Sequence, residues 1–545
     1  MTLLPCDRLM DTRTQDDDSL FIVIPARGYP VFDFMGVTMT DSRIRSIVIL
    51  GGGTAGWMAA AALANRFKQG ITKITLIESA DIGTIGVGEA TVPYIKEFLQ
   101  DLNINEVDFM RATNATYKLG IDFDGWYKPN EKFIHPFAGY GARIARIPFH
   151  HYWAKLRAQG KAQTLDTYCL AVQMARHNKF ALPKANNDVE LSSFNYAFHF
   201  DAGLFAQYLS SLAQRMGVNR IEATVEQTNQ HPETGFIQSL RLNNGETIEG
   251  EFFIDCSGFN GLLIEQTLKT GYENWNQWLR CDRAVAMPCS STLAPQSATR
   301  ALAMEAGWQW RIPLQHRIGN GYVYCSDYIS DQIAAEKLEE NLQGDALAEP
   351  KFIRFTTGMR KQVWHKNVFC LGLASGFMEP LESTNIYLIQ SSLTLLLNHF
   401  PNNQYNQQLV NTVNNNLRIR QEKLRDFLIL HYYANQRHGQ TFWDECRSMT
   451  IPDTLSARIE HFKATGQPQI DELDFFGTNS WLAMFSGFNI QPQYYHPVVD
   501  DFDVQLVEQE LKAIAASIAN TVKDLPDHLH FMQRNIFAVF TQPLK

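Results

Sequence analysis

The sequence predicts a mixed α/β (α+β) fold, in which a strand–turn–helix unit comes first, more strands follow, and a helical region ends the chain. The segment SIVILGGGTAGWMAAAALANRF, residues 46–67, has an apolar run, a glycine-rich turn and an alanine-rich helical pattern. Two further glycine-bearing turns, in FFIDCSGFNG (252–261) and VFCLGLASGFMEPLEST (368–384), also follow short apolar runs. After residue 400, apolar residues recur at spacings of three and four, which is typical of helices.

Composition limits the class of protein. The chain has 545 residues, of which 45% are hydrophobic and 19% are charged, so it can bury a large core. Its net charge of -9 argues against a surface for nucleic acid or anionic membranes, which requires concentrated positive charge. Eight cysteines without a CxxC pair predict a reducing cytoplasm, with neither a disulfide scaffold nor a metal site. The absence of an 18-residue apolar run predicts that the chain has no membrane span.

The first strand–turn–helix unit has the pattern of a dinucleotide site. Gly51, Gly53 and Gly56 fill a GxGxxG frame, which allows a tight turn, close approach of a pyrophosphate, and packing of helix on strand. Phosphates bind at the N-terminus of such a helix, where N–H groups are free. The next predicted strand, KITLIES, ends in Glu78, which is placed to accept a hydrogen bond from a ribose hydroxyl.

The dinucleotide is predicted to be FAD. A nicotinamide dehydrogenase would continue with regular βαβ units, whereas this chain continues with TIGVGEATVP (84–93) and a long mixed region. Strands returning at 252–261 and 368–384 indicate the two-domain flavin monooxygenase type, with a substrate sheet inserted into the FAD module.

Three segments are predicted along the chain. Residues 1–42 lack the layout of a signal peptide and form a poorly ordered extension, or an upstream artefact if Met39 is the natural start. Residues 43–400 form the FAD-binding module with its inserted substrate sheet. Residues 401–545 form a helical region that covers the substrate.

Two tryptophans stand two residues apart in GWQWRIPL (307–314). Residues i and i+2 of a strand share a face, so Trp308 and Trp310 are predicted to stand side by side. From this spacing alone, core packing is the favoured explanation, because aromatic residues favour strands and bury large apolar areas.

Taken together, GGGTAGW, GVGEATVP, NATYKLGI, GWQWRIP and EPLEST occur in the order found in flavin-dependent tryptophan halogenases, which this chain closely resembles from about Arg43 onward. In that family the two indoles separate the flavin from the organic substrate. The resemblance therefore implies that Trp308 and Trp310 form this wall. It also assigns a larger set of residues to the FAD site: Gly51, Gly53, Thr54, Ala55, Gly56, Trp57, Glu78, Glu89, Val225, Leu373 and Ile386.

The resemblance implies electrophilic halogenation of an indole-like aromatic. A separate NADH-dependent flavin reductase supplies FADH2, which reacts with O2 to give a flavin hydroperoxide. Chloride or bromide attacks this species, and the resulting hypohalous acid passes through an internal channel to the substrate.

Two residues match the family's catalytic lysine and glutamate. Lys118, in ATYKLG, would hold the hypohalous acid either as an ammonium that donates hydrogen bonds or as a neutral amine that forms a haloamine. Burial lowers the pKa of a lysine and favours the second route. Glu382, in EPLESTN, would polarise the reagent or take the ring proton. Without the resemblance, Lys118 reads as a surface charge and Glu382 as a helix-terminal charge.

The residues after Glu382 match the family's substrate and halide positions. Ser383 accompanies Glu382 at the substrate end, and the backbone N–H groups of Thr384 and Asn385 form an anion nest for the halide. The family usually has glycine where this chain has Asn385. Asparagine tolerates a left-handed backbone, so we expect the nest to be retained.

The substrate is predicted to be indole or an indole within a larger molecule. His135 and Phe137, in FIHPFAGYG, match positions that sandwich the indole, although His135 alone is equally consistent with a core residue. Halogenases of free tryptophan carry a Tyr-Tyr pair and acidic residues shortly before a Phe-Trp pair, and these hold the charged groups of the amino acid. Here the stretch 464–481 has no tyrosine, and Phe475 and Phe476 stand at the Phe-Trp positions. The ammonium and carboxylate groups of free tryptophan would lack partners in such a site, so free tryptophan should bind poorly.

Two other functions fit parts of the sequence. An FAD-dependent aromatic hydroxylase would use NADPH directly and require no halide, and Trp308, Trp310, Lys118 and the halide nest together disfavour it. A flavin-binding protein that acts by interaction would not need Lys118 or Glu382. The sequence leaves open whether the chain forms a homodimer.

Overall fold

The computed structural model describes residues 41–68, 70–79, 88–184, 193–291 and 293–537. Residues 1–40 of the predicted extension, and residues 84–87 of the TIGVGEATVP segment, lie outside the described residues. The described residues from Arg43 onward belong to one compact unit.

The strands alternate with helices in the first part of the unit and then give way to helices. The strands are, in chain order, β1 (Ser46–Leu50), β2 (Lys73–Glu78), β3 (Gly88–Ala90), β4 (Thr116–Lys118), β5 (Gly120–Asp124), β6 (Lys132–Pro136), β7 (Ala197–Asp201), β8 (Asn219–Glu222), β9 (Val225–Gln230), β10 (Ile237–Leu242), β11 (Thr247–Glu249), β12 (Phe252–Asp255), β13 (Tyr272–Asn274), β14 (Arg283–Ala286), β15 (Thr299–Met304), β16 (Gly307–Pro313), β17 (Ile318–Tyr324), β18 (Lys351–Arg354), β19 (Gly358–Arg360), β20 (Trp364–His365), β21 (Val368–Cys370) and β22 (Gly376–Phe377). The helices are α1 (Thr54–Arg66), α2 (Ile95–Asp101), α3 (Glu106–Ala112), α4 (Phe149–Ala158), α5 (Leu170–Arg176), α6 (Ala202–Arg215), α7 (Asp331–Glu340), α8 (Asn385–Asn398), α9 (Gln407–Tyr433), α10 (Thr441–Ser448), α11 (Asp453–Thr465), α12 (Thr478–Gly487), α13 (Val504–Asp524) and α14 (His528–Met532).

A six-stranded sheet carries the glycine turn, with spatial order β20-β21-β12-β1-β2-β8. All its neighbouring pairs are parallel except β20 with β21. Strand β1 lies in the middle, and α1 packs on the sheet through alanines that are fully buried. The predicted return of the segments 252–261 and 368–384 to this sheet is confirmed, because β12 pairs with β1 and β21 pairs with β12.

A seven-stranded sheet, with order β18-β14-β17-β16-β15-β5-β6, forms the second layer. Most of its strands lie between β12 and β21 in the chain, so this sheet is inserted into the first module, as predicted. Its strand β16 carries the two tryptophans, and β6 carries His135.

Beyond residue 406 the described chain consists of helices α9 to α14, short 3₁₀ and π-helical turns and the loops that join them, which confirms the predicted helical C-terminal region. Helix α9 is 27 residues long, and its second half, from Leu424 to Tyr432, is buried throughout. This half of the helix reaches the residues described below. Within the described residues, none of the helices combines the length and apolarity needed to span a membrane.

Candidate active site

The glycine turn opens onto a cavity of about 620 Å³. Gly51 follows β1 with φ of +112°, a conformation that favours glycine. Helix α1 begins at Thr54, and no side chain caps its N-terminus, so its first N–H groups remain available to a ligand. Gly53, Thr54 and Ala55 line the cavity at this point. The geometry suits a pyrophosphate at a helix N-terminus.

Two glycines of this turn have different spatial roles, and they give a matched pair of variants. A Cβ on Gly56 would lie 1.8 Å from the Gly51 carbonyl oxygen, whereas a Cβ on Gly53 would meet no atom within 4 Å. We expect Gly56→Ala to lower the free energy of unfolding by about 2 kcal/mol or more, because backbone must move. We expect Gly53→Ala to unfold like the wild type but to bind FAD more weakly, as measured by thermal unfolding and FAD titration. Equal unfolding curves for the two variants would contradict this assignment.

Glu78 lies at the end of β2 and lines the same cavity. Its carboxylate forms an ion pair with Arg220 and accepts a hydrogen bond from the Trp57 indole Nε1 at 3.3 Å. Trp57 is buried and, like Gly56, does not belong to the cavity wall. These two predicted cofactor residues therefore shape the turn and hold Glu78.

The remaining predicted cofactor residues come together from distant parts of the chain. Glu89, Val225, Leu373 and Ile386 all line the cavity. Glu89 is enclosed, and burial raises the pKa of its carboxyl to about 7. The cavity continues from the phosphate end to Trp310 and to Ser383 and Asn385, so the cofactor site and the EPLEST segment share one space.

The two tryptophans of β16 stand on one face of the strand, with ring centroids 6.3 Å apart. Trp310 lines the cavity, and Trp308 is not part of its wall. The Trp308 indole donates a hydrogen bond to Glu379 Oε2 at 2.9 Å, and the Tyr432 hydroxyl donates to the same oxygen at 2.6 Å. Glu379 is fully buried, and burial raises the pKa of its carboxyl to about 7. Glu379 therefore ties Trp308 to the segment that carries Glu382.

Lys118 ends β4 and is fully buried. Its ammonium donates hydrogen bonds to the Thr91 carbonyl oxygen at 3.0 Å and to Ser383 Oγ at 2.7 Å. It also lies 5.2 Å from the centre of the Phe137 ring. Burial lowers the pKa of Lys118 to about 7, although the charge of Glu382 opposes the shift. The residue is therefore divided between ammonium and amine near neutral pH.

Glu382 lies in a 3₁₀ turn, Pro380–Glu382, and is fully buried between two histidines. Its Oε2 lies 2.8 Å from His135 Nδ1, and its Oε1 lies 2.8 Å from His431 Nε2. Burial alone would raise the pKa of Glu382, but His135 and His431 outweigh it and hold the pKa at about 2. Sequence reasoning missed His431. The signal available was a histidine within the apolar run FLILHYY of α9.

The predicted halide nest has a different backbone from the one expected. Ser383 has φ of +59°, whereas Asn385 is the first residue of α8 and is not left-handed. The tolerance of asparagine for a left-handed backbone is therefore not used at Asn385, because the left-handed turn is made two residues earlier, at Ser383. The left-handed Ser383 precedes Thr384 at φ -93° and ψ -8°, a combination that turns successive N–H groups to one side. Within the described chain, the buried Thr384 Oγ1 has no hydrogen-bond partner.

Aromatic side chains extend outward from Glu382. Phe476 is buried. Its ring centroid lies 5.7 Å from that of His135 and 3.7 Å from that of Phe427, on which it stacks. Phe475 is half-buried and stacks on Tyr387 at 3.8 Å. His135 thus contacts both Glu382 and Phe476, and the half-buried Phe137 lies beside Lys118.

The comparisons with known proteins agree with this architecture. The tryptophan halogenase family model matches residues 46–504. The tryptophan 6-halogenase ThaL of Streptomyces albogriseolus is 34% identical over 508 residues, which cover 86% of this chain and 94% of that protein. The tryptophan 7-halogenase RebH of Lentzea aerocolonigenes is 30% identical over 530 residues, covering 91% and 99%.

Solved structures give the same result. BrvH, a flavin-dependent halogenase from Brevundimonas sp. BAL3, superimposes with a TM-score of 0.88 at 44% identity, covering 91% of this chain and all of that one. The structure of Xcc4156, a flavin-dependent halogenase from Xanthomonas campestris, has a TM-score of 0.87 at 43% identity, covering 90% and 98%. The chain therefore belongs to the tryptophan halogenase family and is a flavin-dependent halogenase.

Proposed function

We propose that this enzyme halogenates indole, or an indole within a larger molecule, with FADH2 supplied by a separate NADH-dependent reductase. The observation that carries the proposal is the buried cluster of Lys118, Ser383 and Glu382. Ser383 accepts a hydrogen bond from Lys118 and also lines the cavity, so the lysine stands next to that space. The alternative of an aromatic hydroxylase assigns no role to this lysine.

The cavity residues fit FAD. The helix N-terminus without a cap would hold the pyrophosphate, Glu78 would accept from the ribose, and Trp310 would border the ring end. When bound in its reduced form, FAD would react with O2 and supply the oxidising power that converts a halide ion into an electrophilic halogen. The backbone N–H groups of Thr384 and Asn385, with the unpartnered Thr384 hydroxyl, would hold chloride or bromide.

Lys118 would hold the oxidised halogen beside the ring carbon. Its two hydrogen bonds to Thr91 and Ser383 fix the nitrogen, and the third N–H or the amine lone pair remains for the reagent. Glu382 would accept the proton that the ring carbon loses. Because its pKa is held at about 2, the carboxylate is ionised throughout the working pH range.

Two of the three acidic residues of the stretch 464–481 are already paired with basic side chains, and the third, Glu472, is exposed. Asp474 accepts hydrogen bonds from Arg458 at 2.9 and 3.1 Å, and Asp471 forms an ion pair with Lys423 at 2.5 Å. Both carboxylates are therefore already neutralised by basic side chains. The ammonium group of free tryptophan would have to displace one of these pairs, whereas indole would not.

We therefore expect indole to be halogenated with a higher kcat/KM than free tryptophan. The assay contains the enzyme, FAD, NADH, a flavin reductase, O2 and either chloride or bromide, and products are identified by mass spectrometry. A higher kcat/KM for tryptophan would contradict the substrate proposal. Stoichiometric NADH oxidation by this chain alone would contradict the need for a reductase, and an oxygenated product without halide would favour the hydroxylase.

A further inference from the structure

His431 is placed so that both of its ring nitrogens face acceptors. Its Nδ1 lies 2.8 Å from the Phe427 carbonyl oxygen, one helical turn earlier in α9. Its Nε2 lies 2.8 Å from Glu382 Oε1. A carbonyl oxygen only accepts, so Nδ1 carries a proton. His431 and Glu382 are both fully buried, so water does not take over either contact.

The second contact then requires another proton. With Nδ1 protonated, a neutral imidazole would present the Nε2 lone pair to a carboxylate oxygen, and the two would repel. A hydrogen bond forms if Nε2 is protonated or if Glu382 is a carboxylic acid. In either form, the Glu382–His431 pair holds one proton more than a separate carboxylate and a separate neutral histidine would.

Few charged groups surround this proton. The His431 ring packs against Phe123, Trp126, Phe427 and Phe488, with centroids 5.1 to 6.1 Å away. The titratable groups that face the pair are His135 on β6, which holds the other oxygen of Glu382, and Lys118 on β4, which feels the charge of Glu382. The aromatic surroundings keep the proton from exchanging freely with solvent.

We propose that His431 is a positioning residue that holds a proton on its hydrogen bond to Glu382, so that the pair acts first as an acid and then as a base. This inference rests on the proposed function. In the first step the pair donates its proton to the oxygen of hypohalous acid. The halogen–oxygen bond breaks with its electrons on oxygen, water leaves, and the halogen bonds to the ring carbon. In the second step the ring C–H bond breaks, the ring recovers its electrons, and the proton returns to the pair. No net proton is gained or lost by the protein.

The held proton is tested on the enzyme without turnover. Nitrogen NMR of histidine-labelled protein reports which ring nitrogens are protonated, and His431→Gln identifies the signal. In one neutral buffer, we expect both ring nitrogens of His431 to be protonated in the wild type. In Glu382→Gln in the same buffer, only Nδ1 should carry a proton, because the carboxylate that shares the second proton is gone. The same protonation of His431 in the wild type and in Glu382→Gln would overturn the inference.

Turnover provides the second test. His431→Phe keeps a ring within the aromatic surroundings, and His431→Gln keeps a neutral donor. We expect both to bind FAD normally and to halogenate indole about 100-fold more slowly or worse, because the pair can no longer supply a proton. Removing His431 also raises the pKa of Glu382, so the acidic limb of the pH–rate profile should move to higher pH.

A matched control separates this role from packing. His399 makes the same contact with a carbonyl one turn earlier, at 3.0 Å to Leu395, and has no carboxylate partner among the described residues. His399→Gln should retain wild-type turnover. Full turnover in both His431 variants, with turnover lost in Glu382→Gln, would overturn this inference alone. Full turnover in Glu382→Gln would instead overturn the proposed function.

Discussion

Replacing Lys118 with alanine is expected to abolish halogenation while flavin oxidation continues. The substitution removes the nitrogen that stands 2.7 Å from Ser383 Oγ, but it leaves the glycine turn, Glu78 and Trp310 in place. Reduced flavin should therefore be consumed at nearly the normal rate, while halogenated indole falls at least 100-fold. The measurement compares O2 consumption with product formation in the same reaction.

Lys155→Ala is the matched control. Lys155 is another buried lysine, which donates to the Val499 carbonyl and pairs with Asp500 away from the cavity. It should keep oxygen consumption and halogenation coupled. Full halogenation by Lys118→Ala would refute the role assigned to this lysine.

The haloamine route and the hydrogen-bonding route of Lys118 should respond in opposite ways to a rise in pH and to the substitution Lys118→Arg. The pKa of Lys118 is lowered to about 7, so the amine form increases as pH rises through 7. A haloamine route should speed up over that range, whereas an ammonium that donates hydrogen bonds should act less well. Lys118→Arg stays protonated and cannot form a haloamine, so partial activity in that variant would select the hydrogen-bonding route.

Glu382→Gln is expected to lower kcat for halogenation by about 100-fold to 10,000-fold. Glutamine has the same shape but cannot take the ring proton. Its amide nitrogen would also replace one of the two carboxylate oxygens that face His135 and His431 in the wild type. Because the pKa of Glu382 is about 2, protonation of this carboxylate should not limit the wild-type rate at pH 6 or above. Single-turnover rates from pH 6 to 9 check both statements.

FAD binding is the internal control for this variant. The Glu382 side chain is not part of the cavity wall, so the FAD dissociation constant should change less than twofold. A variant that binds FAD normally and halogenates at the wild-type rate would rule out Glu382 as the base.

Much of the fold could be predicted from local patterns. The strand, glycine turn and alanine-rich helix around Gly51 are encoded within 22 residues, and the structure confirms them. The i and i+2 spacing of Trp308 and Trp310 correctly predicted a shared face, since a strand has a two-residue period. The resemblance to flavin-dependent tryptophan halogenases is confirmed by the family model over residues 46–504.

The contacts that set the chemistry could not be predicted in this way. His431 is separated from Glu382 by 49 residues and reads as one more position of a buried helix. Glu379 gives no local sign that it binds Trp308, which lies 71 residues earlier. The backbone of the nest depends on how the 3₁₀ turn meets α8, and that junction placed the left-handed residue at Ser383 instead of Asn385. Such pairings arise from packing of distant elements.

The segment from Glu379 to Asn385 also bears on how this enzyme can be changed. Within seven residues it anchors Trp308, carries Glu382, receives the Lys118 hydrogen bond and forms the nest. A mutation there disturbs several of these functions together, so random libraries should be depleted of active clones at these positions. Phe475 and Phe476 lie on a separate stretch that contributes none of these contacts. New aromatic substrates should therefore be reached by diversifying residues 475 and 476 while the segment from Glu379 to Asn385 is kept.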